Sequence, residues 1–318
     1  MALKPNTQTG TLSGKEHGTH DALTWSSGIL VGDALAMIEE SKGGNDILTG
    51  LGGAATTNAL RGDAQFMYGE SRGGNDVLIG GDGATNRMGA EATEMHDQSR
   101  GGNDVVIGGD SAILNSGCGD GCSMFDDTVG GNDLLIGGVA ALENNFRGDG
   151  MNMAGHAQGG NDLVIGGDDA VINILHGDGI TMRDYAVGGN DVVIAGNDAG
   201  NTLYGDAATM LDFTVSGNDT LISGNAADNM WGDSGTITAN VTTGTDIFVF
   251  KPGNNADQVN DFRQSDHDQI ELSAFAFDDI GDLNISVASG NTVIDFGGGN
   301  SVTLVGFTDP LTASDFIF

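Results

Sequence analysis

The chain has 318 residues, with 45 Asp and Glu against 11 Lys and Arg, a net charge of −34. That balance argues against a nucleic-acid partner, because phosphate contacts need clustered Lys and Arg, and against an anionic membrane surface unless a cation bridges the two. With 55 Gly and 3 Pro the chain reads as many tight turns without a collagen period, and no apolar run approaches the roughly 20 residues of a membrane helix.

In chain order, residues 1–28 are polar and carry no apolar core for an amino-terminal export signal. This segment is expected to be flexible and too short for a catalytic domain. Its His17-Gly-Thr-His20 spacing could hold a metal ion.

From residue 29 to 243 one sentence recurs. Gly-Gly-Asn-Asp begins at Gly43, Gly73, Gly101, Gly130, Gly159 and Gly188, and a Ser-Gly-Asn-Asp copy begins at Ser216. The acids are Asp46, Asp76, Asp104, Asp133, Asp162, Asp191 and Asp219, at spacings of 30, 28, 29, 29, 29 and 28 residues. A fixed period in this range predicts a solenoid whose repeats bury their apolar faces on one another. Like residues then stand above one another about 4.8 Å apart, the spacing of neighbouring strands.

Two residues beyond each Asp lies Leu48, Leu78, Val106, Leu135, Val164, Val193 or Leu221, a ladder assigned inward by period-2 alternation. Its flanks, such as Val77, Val105 and Leu134 on one side and Ile79, Ile107, Ile136, Ile165, Ile194 and Ile222 on the other, should point outward. They would form a flat apolar strip, covered by the molecule's own loops or available for contact.

Two further registers run through the repeats. Asn58, Asn86, Asn115, Asn144, Asn173 and Asn201 can hydrogen-bond along their own stack, as buried polar groups must. Met37, Met67, Met95, Met124, Met153, Met182 and Met210 are most simply core, with a copper-binding stripe as the alternative. Four residues before each Met stands an acid: Asp33, Asp63, Glu91, Asp120, Asp149, Asp178 or Asp206, with Asp233 continuing the series. Whether these acids bind a cation is open at this stage.

The Gly-Gly-Asn-Asp ladder has no internal escape. Like charges about 5 Å apart repel unless cations lie between them. Solvated exposure is the alternative, but the glycine two positions before each Asp would let backbone carbonyls turn towards a ligand. Gly44, Gly74, Gly102, Gly131, Gly160 and Gly189 are therefore candidate ligands together with the seven acids. Oxygen donors in a flexible loop suit calcium best.

Cys118 and Cys122 lie in one turn, Cys-Gly-Asp-Gly-Cys, readable as a local disulfide, two free thiols, or a metal or redox pair. Gly69-Glu70-Ser71-Arg72-Gly73 fits a hydrolase elbow, but that elbow needs a strand-to-helix turn. Ser71 instead recurs in register as Ser41 and Ser99. No His-Glu-x-x-His occurs among the six histidines.

These residues resemble the calcium-binding β-roll of the repeats-in-toxin (RTX) family, whose nonapeptide is Gly-Gly-x-Gly-x-Asp-x-(apolar)-x. Gly74-Asn75-Asp76-Val77-Leu78-Ile79 followed by Gly80-Gly81 matches its second half and the start of the next unit. The leading glycines are replaced by Ser71-Arg72, Ser99-Arg100 and Thr128-Val129. The period is about 29 residues where two nonapeptides make about 18, so an enlarged coil is expected, with a third short strand carrying the Met.

Residues 244–318 resemble the carboxy-terminal secretion domain of serralysin-like RTX proteins. The matching segments are Gly244-Thr245-Asp246-Ile247-Phe248-Val249-Phe250, Asp257-Gln258-Val259-Asn260-Asp261-Phe262 and Asp268-Gln269-Ile270-Glu271-Leu272-Ser273, then Gly290-Asn291-Thr292-Val293-Ile294 and the tail Asp315-Phe316-Ile317-Phe318. The resemblance implies export by a type I system that reads a C-terminal signal.

The expectation is thus an all-β protein: a parallel β-solenoid over 29–243 with a β-rich secretion domain over 244–318. It is read as a secreted calcium-binding structural, adhesive or matrix protein without an enzymatic site. Its expected partners are calcium ions, the type I secretion machinery and, for the strip, a second copy or a cell-surface or matrix partner. The alternatives are a membrane-active or pore-forming RTX protein and a hydrolase using Ser71.

Overall fold

The computed structural model describes residues 7–24 and 29–318. Each repeat contributes three short strands, and like strands pair in parallel with those of the next repeat, giving sheets of nine, eleven and twelve strands. The fold is an all-β, parallel β-solenoid with coils of about 29 residues.

One coil illustrates the construction. Leu114–Cys118 belongs to the sheet that carries the Asn register, and Ser123–Met124 to the sheet that carries Met. Val129 makes isolated parallel bridges to Arg100 and Gln158 of the neighbouring coils at the next corner, and Leu134–Ile136 enters the third sheet. We call these the Asn, Met and Ile sheets. Strands of the Ile sheet are only three residues long, as in Val77–Ile79 and Val105–Ile107. Their β-branched and aliphatic composition favours extended backbone. The middle residue is buried and its neighbours half-exposed, as the alternation requires. The outward rows are in register, Ile107 beside Ile79 and Ile136.

The apolar interior is divided. Between the Ile and Asn sheets lie Leu48, Leu78, Val106, Leu135, Val164, Val193 and Leu221, facing Leu60, Met88, Phe146, Leu175, Leu203 and Met230. At Gly117 a Cβ would press on the Phe146 ring of the next coil, so a missing side chain in one coil is filled by a large one above. A second cluster lines the Met sheet, where all seven Met side chains are fully buried among Ala34, Ala64, Ala92, Ala157, Ala186 and Ala207. The Met register is core.

The two domain boundaries read from sequence do not interrupt the sheets. Within the segment expected to be flexible, Thr7–Leu12 pairs with Ala34–Met37 and Ala22–Thr24 pairs with Ile47–Thr49. Leu12 packs on the Met cluster, which draws this strand into the first coil. Residues 1–6 and 25–28 of that segment lie outside the described residues.

At the other end Ile247–Val249, Gln269–Glu271 and Phe316–Ile317 extend the Ile sheet, while Ala256–Val259 extends the Asn sheet. The Met sheet ends at Ser234–Ile237. Beyond it the antiparallel strands Asn284–Ala288, Asn291–Gly297 and Asn300–Leu304 complete the Asn sheet. Phe248, Phe250, Phe262, Phe296 and Phe316 fill the wider interior there. Among the described residues, no helix is long and apolar enough to cross a membrane.

Candidate metal column

Two corners of each coil turn an acid inward. At one, Gly-Gly-Asn-Asp leads into the Ile sheet. At the other, Gly-Asp, or Ala90-Glu91 in one coil, joins the Asn sheet to the Met sheet. The resulting two files of carboxylates stand side by side between the two apolar clusters. Asp46, Asp76, Asp104, Asp133, Asp162, Asp191 and Asp219 are at most 4 % exposed, and Asp63, Glu91, Asp120, Asp149, Asp178 and Asp206 are fully buried. The solvated reading of these acids is overturned.

Between Asp46 and Asp219 each carboxylate of the two files is held by one oxygen and left without a hydrogen-bond partner at the other. In the first file the backbone N–H of one Asp donates to Oδ1 of the Asp one coil on: Asp46 to Asp76 at 2.7 Å, Asp104 to Asp133 at 2.8 Å, Asp162 to Asp191 at 2.7 Å. The Oδ2 atoms of Asp46, Asp76, Asp104, Asp133, Asp162, Asp191 and Asp219 are buried without a hydrogen-bond partner. In the second file a glycine eleven residues on donates its N–H: Gly74 to Asp63 at 2.7 Å, Gly131 to Asp120 at 2.9 Å, Gly160 to Asp149 at 3.0 Å. The other oxygen of Asp63, Glu91, Asp120, Asp149, Asp178 and Asp206 is again an orphan.

The files interleave. Oxygens of Asp33, Asp46 and Asp63 come within 4.8 Å of one another, as do those of Asp63, Asp76 and Glu91. In these coils a first-file acid, Asp46 or Asp76, thus sits between two successive acids of the second.

The glycines expected to offer carbonyls also orient the acids. Gly44, Gly74, Gly102, Gly131, Gly160 and Gly189 give their N–H groups to the second file. A Cβ on Gly131 would strike the carbonyl of Gly102, the residue one coil earlier in this register. Only glycine lets the corner stack this closely and leaves its N–H free to orient a carboxylate. Gly119 is needed for another reason: a Cβ there would collide with Oδ2 of Asp133 and with the Gly148 carbonyl.

Burial dominates the electrostatics. It pushes the Asp46 carboxyl up to about 8, with the charge of Asp33 adding to it. It raises Asp104 to about 7 and Asp120 to about 6. Asp133 rises well above the usual carboxylate range, first through burial and then through the charges of Asp120 and Asp162. Asp76, Asp162 and Asp191 follow, again chiefly through burial. Carboxylates packed this way cannot all ionise without a counter-charge, so each takes up a proton or shares a cation. An all-oxygen donor set with unused lone pairs fits a hard divalent cation. Such a cation would be held by the orphaned oxygens of both files.

The Asn register is hydrogen-bonded throughout. Asn58 donates from Nδ2 to Oδ1 of Asn86 at 2.7 Å, Asn86 to Asn115 at 2.7 Å, and Asn115 to Asn144 at 2.8 Å. Each also exchanges hydrogen bonds with a backbone N–H and C=O, as Asn115 does with Gly109. Ser71 is fully buried in a column with Ser41, Ser99 and Thr128, closed to any substrate. His20 is exposed and its Nδ1 accepts from the Asn45 N–H. Among the described residues, the close groups of three possible metal ligands contain no histidine.

The second file is what sequence reasoning aligned but did not assign. Its signal is a constant offset: Asp33, Asp63, Glu91, Asp120, Asp149, Asp178 and Asp206 each stand thirteen residues before a first-file acid. Compared with known proteins, the chain matches no family model and no curated protein.

Proposed function

We propose that this chain is a secreted structural or adhesive protein whose solenoid folds around a column of calcium ions. The observation that carries the reading is the double file of buried carboxylates, each between Asp46 and Asp219 with one oxygen oriented by a backbone N–H and one oxygen unpartnered. Calcium supplies the positive charge that lets these acids stay ionised inside the protein. The chain's own residues position the donors: the first file aligns itself through its backbone, and the Gly131-type N–H groups align the second.

In a low-calcium cytosol 34 excess negative charges favour an expanded chain. Outside, binding energy becomes folding energy, with affinities expected around 10⁻⁴–10⁻³ M, the range of extracellular modules. The resemblance of residues 244–318 to type I secretion domains supports export in that unfolded form. The uniform coil and the full burial of Ser71 favour a structural role over a hydrolase using that serine.

The test is calcium titration of the metal-free chain, followed by far-ultraviolet circular dichroism and sedimentation velocity. A transition from an expanded to a β-rich, faster-sedimenting species near millimolar calcium is expected. A β-rich spectrum unchanged by excess chelator overturns the reading.

A further inference from the structure

The corner that joins the Asn sheet to the Met sheet has a second face, away from the carboxylates. There the residue ending the Asn strand faces the residue four positions on. Where Trp231 and Gly235 occupy these places, a Cβ on Gly235 would lie 3.7 Å from Trp231 Nε1 and 3.3 Å from the Tyr204 ring. In one coil both places are cysteine. Cys118 ends its strand at Leu114–Cys118 and Cys122 precedes Ser123–Met124. Both thiols are free.

The surroundings are not those of two inert core thiols. The coil below has Gly89 in register with Cys118. With no side chain at Gly89, whose Cβ would lie 3.3 Å from Cys122 Sγ, a cavity of about 320 Å³ opens. Both sulfurs, Arg61, Arg87, Met88 and Met151 line it. Cys122 is half-buried while Cys118 is 2 % exposed, so a reagent in the cavity meets Cys122 first.

Two guanidinium groups flank the pair. Arg61 reaches over the Gly89 gap, its Nε donating to Thr93 at 2.9 Å. Arg147 lies in register with Cys118 in the next coil, 3 % exposed. Arg147 donates from Nη1 to Ser116 and to the Asn145 carbonyl, but its buried Nε has no partner, and among the described residues no carboxylate pairs with it. A buried cation without a counter-charge is costly, and Arg61 and Arg87, which line the cavity, give it a positive wall that suits an anion.

We propose that Cys118 and Cys122 form a thiol–disulfide exchange pair whose substrate is an anionic low-molecular-weight disulfide, RS–SR. Cys122 attacks as its thiolate: the Cys122–SR bond forms, the reagent's S–S bond breaks, and RS⁻ leaves and is protonated. Cys118 then loses its proton, attacks Cys122 Sγ and displaces the second RS⁻. Two protein thiols are oxidised to one disulfide, and one small disulfide is reduced to two thiols, a two-electron exchange. The new bond closes a five-residue ring around Asp120 and ties the two sides of one corner. The exchange itself uses no calcium, but the folded corner that holds the two thiols rests on the calcium-folded state proposed above.

The test uses the full chain in millimolar calcium, reduced, freed of reductant and shown to be folded by circular dichroism, so that a failure to fold is seen before any thiol is scored. It is exposed in parallel to oxidised glutathione, which is anionic, and to cystamine, which is cationic. Intact mass should show loss of two hydrogens and no adduct. Cys118→Ser should stop at a mixed disulfide on Cys122, and Cys122→Ser should leave Cys118 thiol unmodified under the same conditions. Glutathione should react about threefold faster than cystamine, a preference that Arg61→Gln and added salt both reduce. The net charge of −34 would otherwise favour cystamine. A stable mixed disulfide on the wild type, a disulfide-linked dimer, or no reaction overturns the exchange pair. Equal or faster reaction with cystamine overturns the anionic substrate.

Discussion

Arg263 places Nη1 against Oδ2 of Asp233, the last acid of the second file, and lies 3.8 Å from Asp266. Asp233 is 1 % exposed, whereas the Arg263 side chain is about one-third exposed. Asp261 beside them accepts N–H groups from Gly232 and Asp233. A fixed cation therefore closes the column at the end where the Met sheet stops. Inside the column only protons or bound ions can serve that purpose.

Removing this charge should loosen that end first. Arg263→Gln is expected to lower stability in calcium by about 2 kcal/mol, the order of a hydrogen bond to a charged group, with Arg263→Lys recovering part of it. Chemical denaturation followed by circular dichroism measures the difference. An unchanged midpoint for Arg263→Gln would mean that the Arg263–Asp233 contact does not hold this end of the column.

The pairing of the two files makes a sharper claim than a single ladder would. Asp133→Asn and Asp149→Asn remove acids from different files at mid-column, and both should raise the calcium concentration for half-folding several-fold. Asp282→Asn, in an exposed turn, should leave it unchanged. If only Asp133→Asn shifts the midpoint, the second file orients the corner without sharing the cation.

Acidity should act in opposite directions with and without calcium. Asp120, Asp104 and Asp46 are raised to about 6, 7 and 8 by burial, against an ordinary value of 3.8. A group raised on folding stabilises the fold below its unfolded value and loses that contribution as pH rises through its folded one. Metal-free chain should therefore be more ordered at pH 5 than at pH 8. Calcium competes with the same protons, so the concentration needed for folding should rise as pH falls from 8 to 5. Circular dichroism over this window, kept above the isoelectric point near 4.1, reads both trends. A metal-free spectrum independent of pH would contradict the burial of these acids.

Much of this architecture is legible in the residues because stacking forces like above like. The Leu78, Asn86 and Met95 registers each mark one inward position on one sheet, and the structure places all three inside. Less legible was the division of the core, since an Asp between apolar strands reads equally as a surface turn. The constant offset of thirteen residues resolves it. The arc from Asp63 through Met67 to Asp76 spans the column at both ends and keeps its length in every coil. The variation from 28 to 30 residues falls between the first-file acid and the Asn, as in Asp46 to Asn58 against Asp76 to Asn86. That outer arc includes exposed turns such as Leu51–Ala55. The N-terminal strand was missed because Thr7–Leu12 carries no repeat motif and is recruited only by the Met cluster.

An insertion should feel this asymmetry. One glycine added after Gly53 lengthens an exposed turn and should leave the calcium midpoint nearly unchanged. The same residue added after Tyr68, inside the fixed arc, should move Asp76 out of register with Asp63 and raise the midpoint several-fold. Equal effects would show that the files are not rigidly coupled.

The outward rows of the Ile sheet set the last expectation. Ile79, Ile107, Ile136, Ile165 and Ile194 are partly exposed and adjacent in register. Four steps of about 4.8 Å make a row about 19 Å long. Its neighbours Val77, Val105, Leu134, Leu163 and Val192 form a parallel row on the same face. Flat, parallel apolar rows favour stacking of one sheet on another, about 10 Å apart. Calcium-folded chain is therefore expected to form dimers or larger assemblies, as a matrix or adhesive role would require. Replacing Ile107, Ile136 and Ile165 by Thr keeps β-branching while removing apolar surface, so the coil should still form. Sedimentation velocity in millimolar calcium decides the matter: assembly by the wild type and monomers for the triple variant are expected. A monomeric wild type at tens of micromolar, or equal assembly by both chains, would show that this face does not drive association.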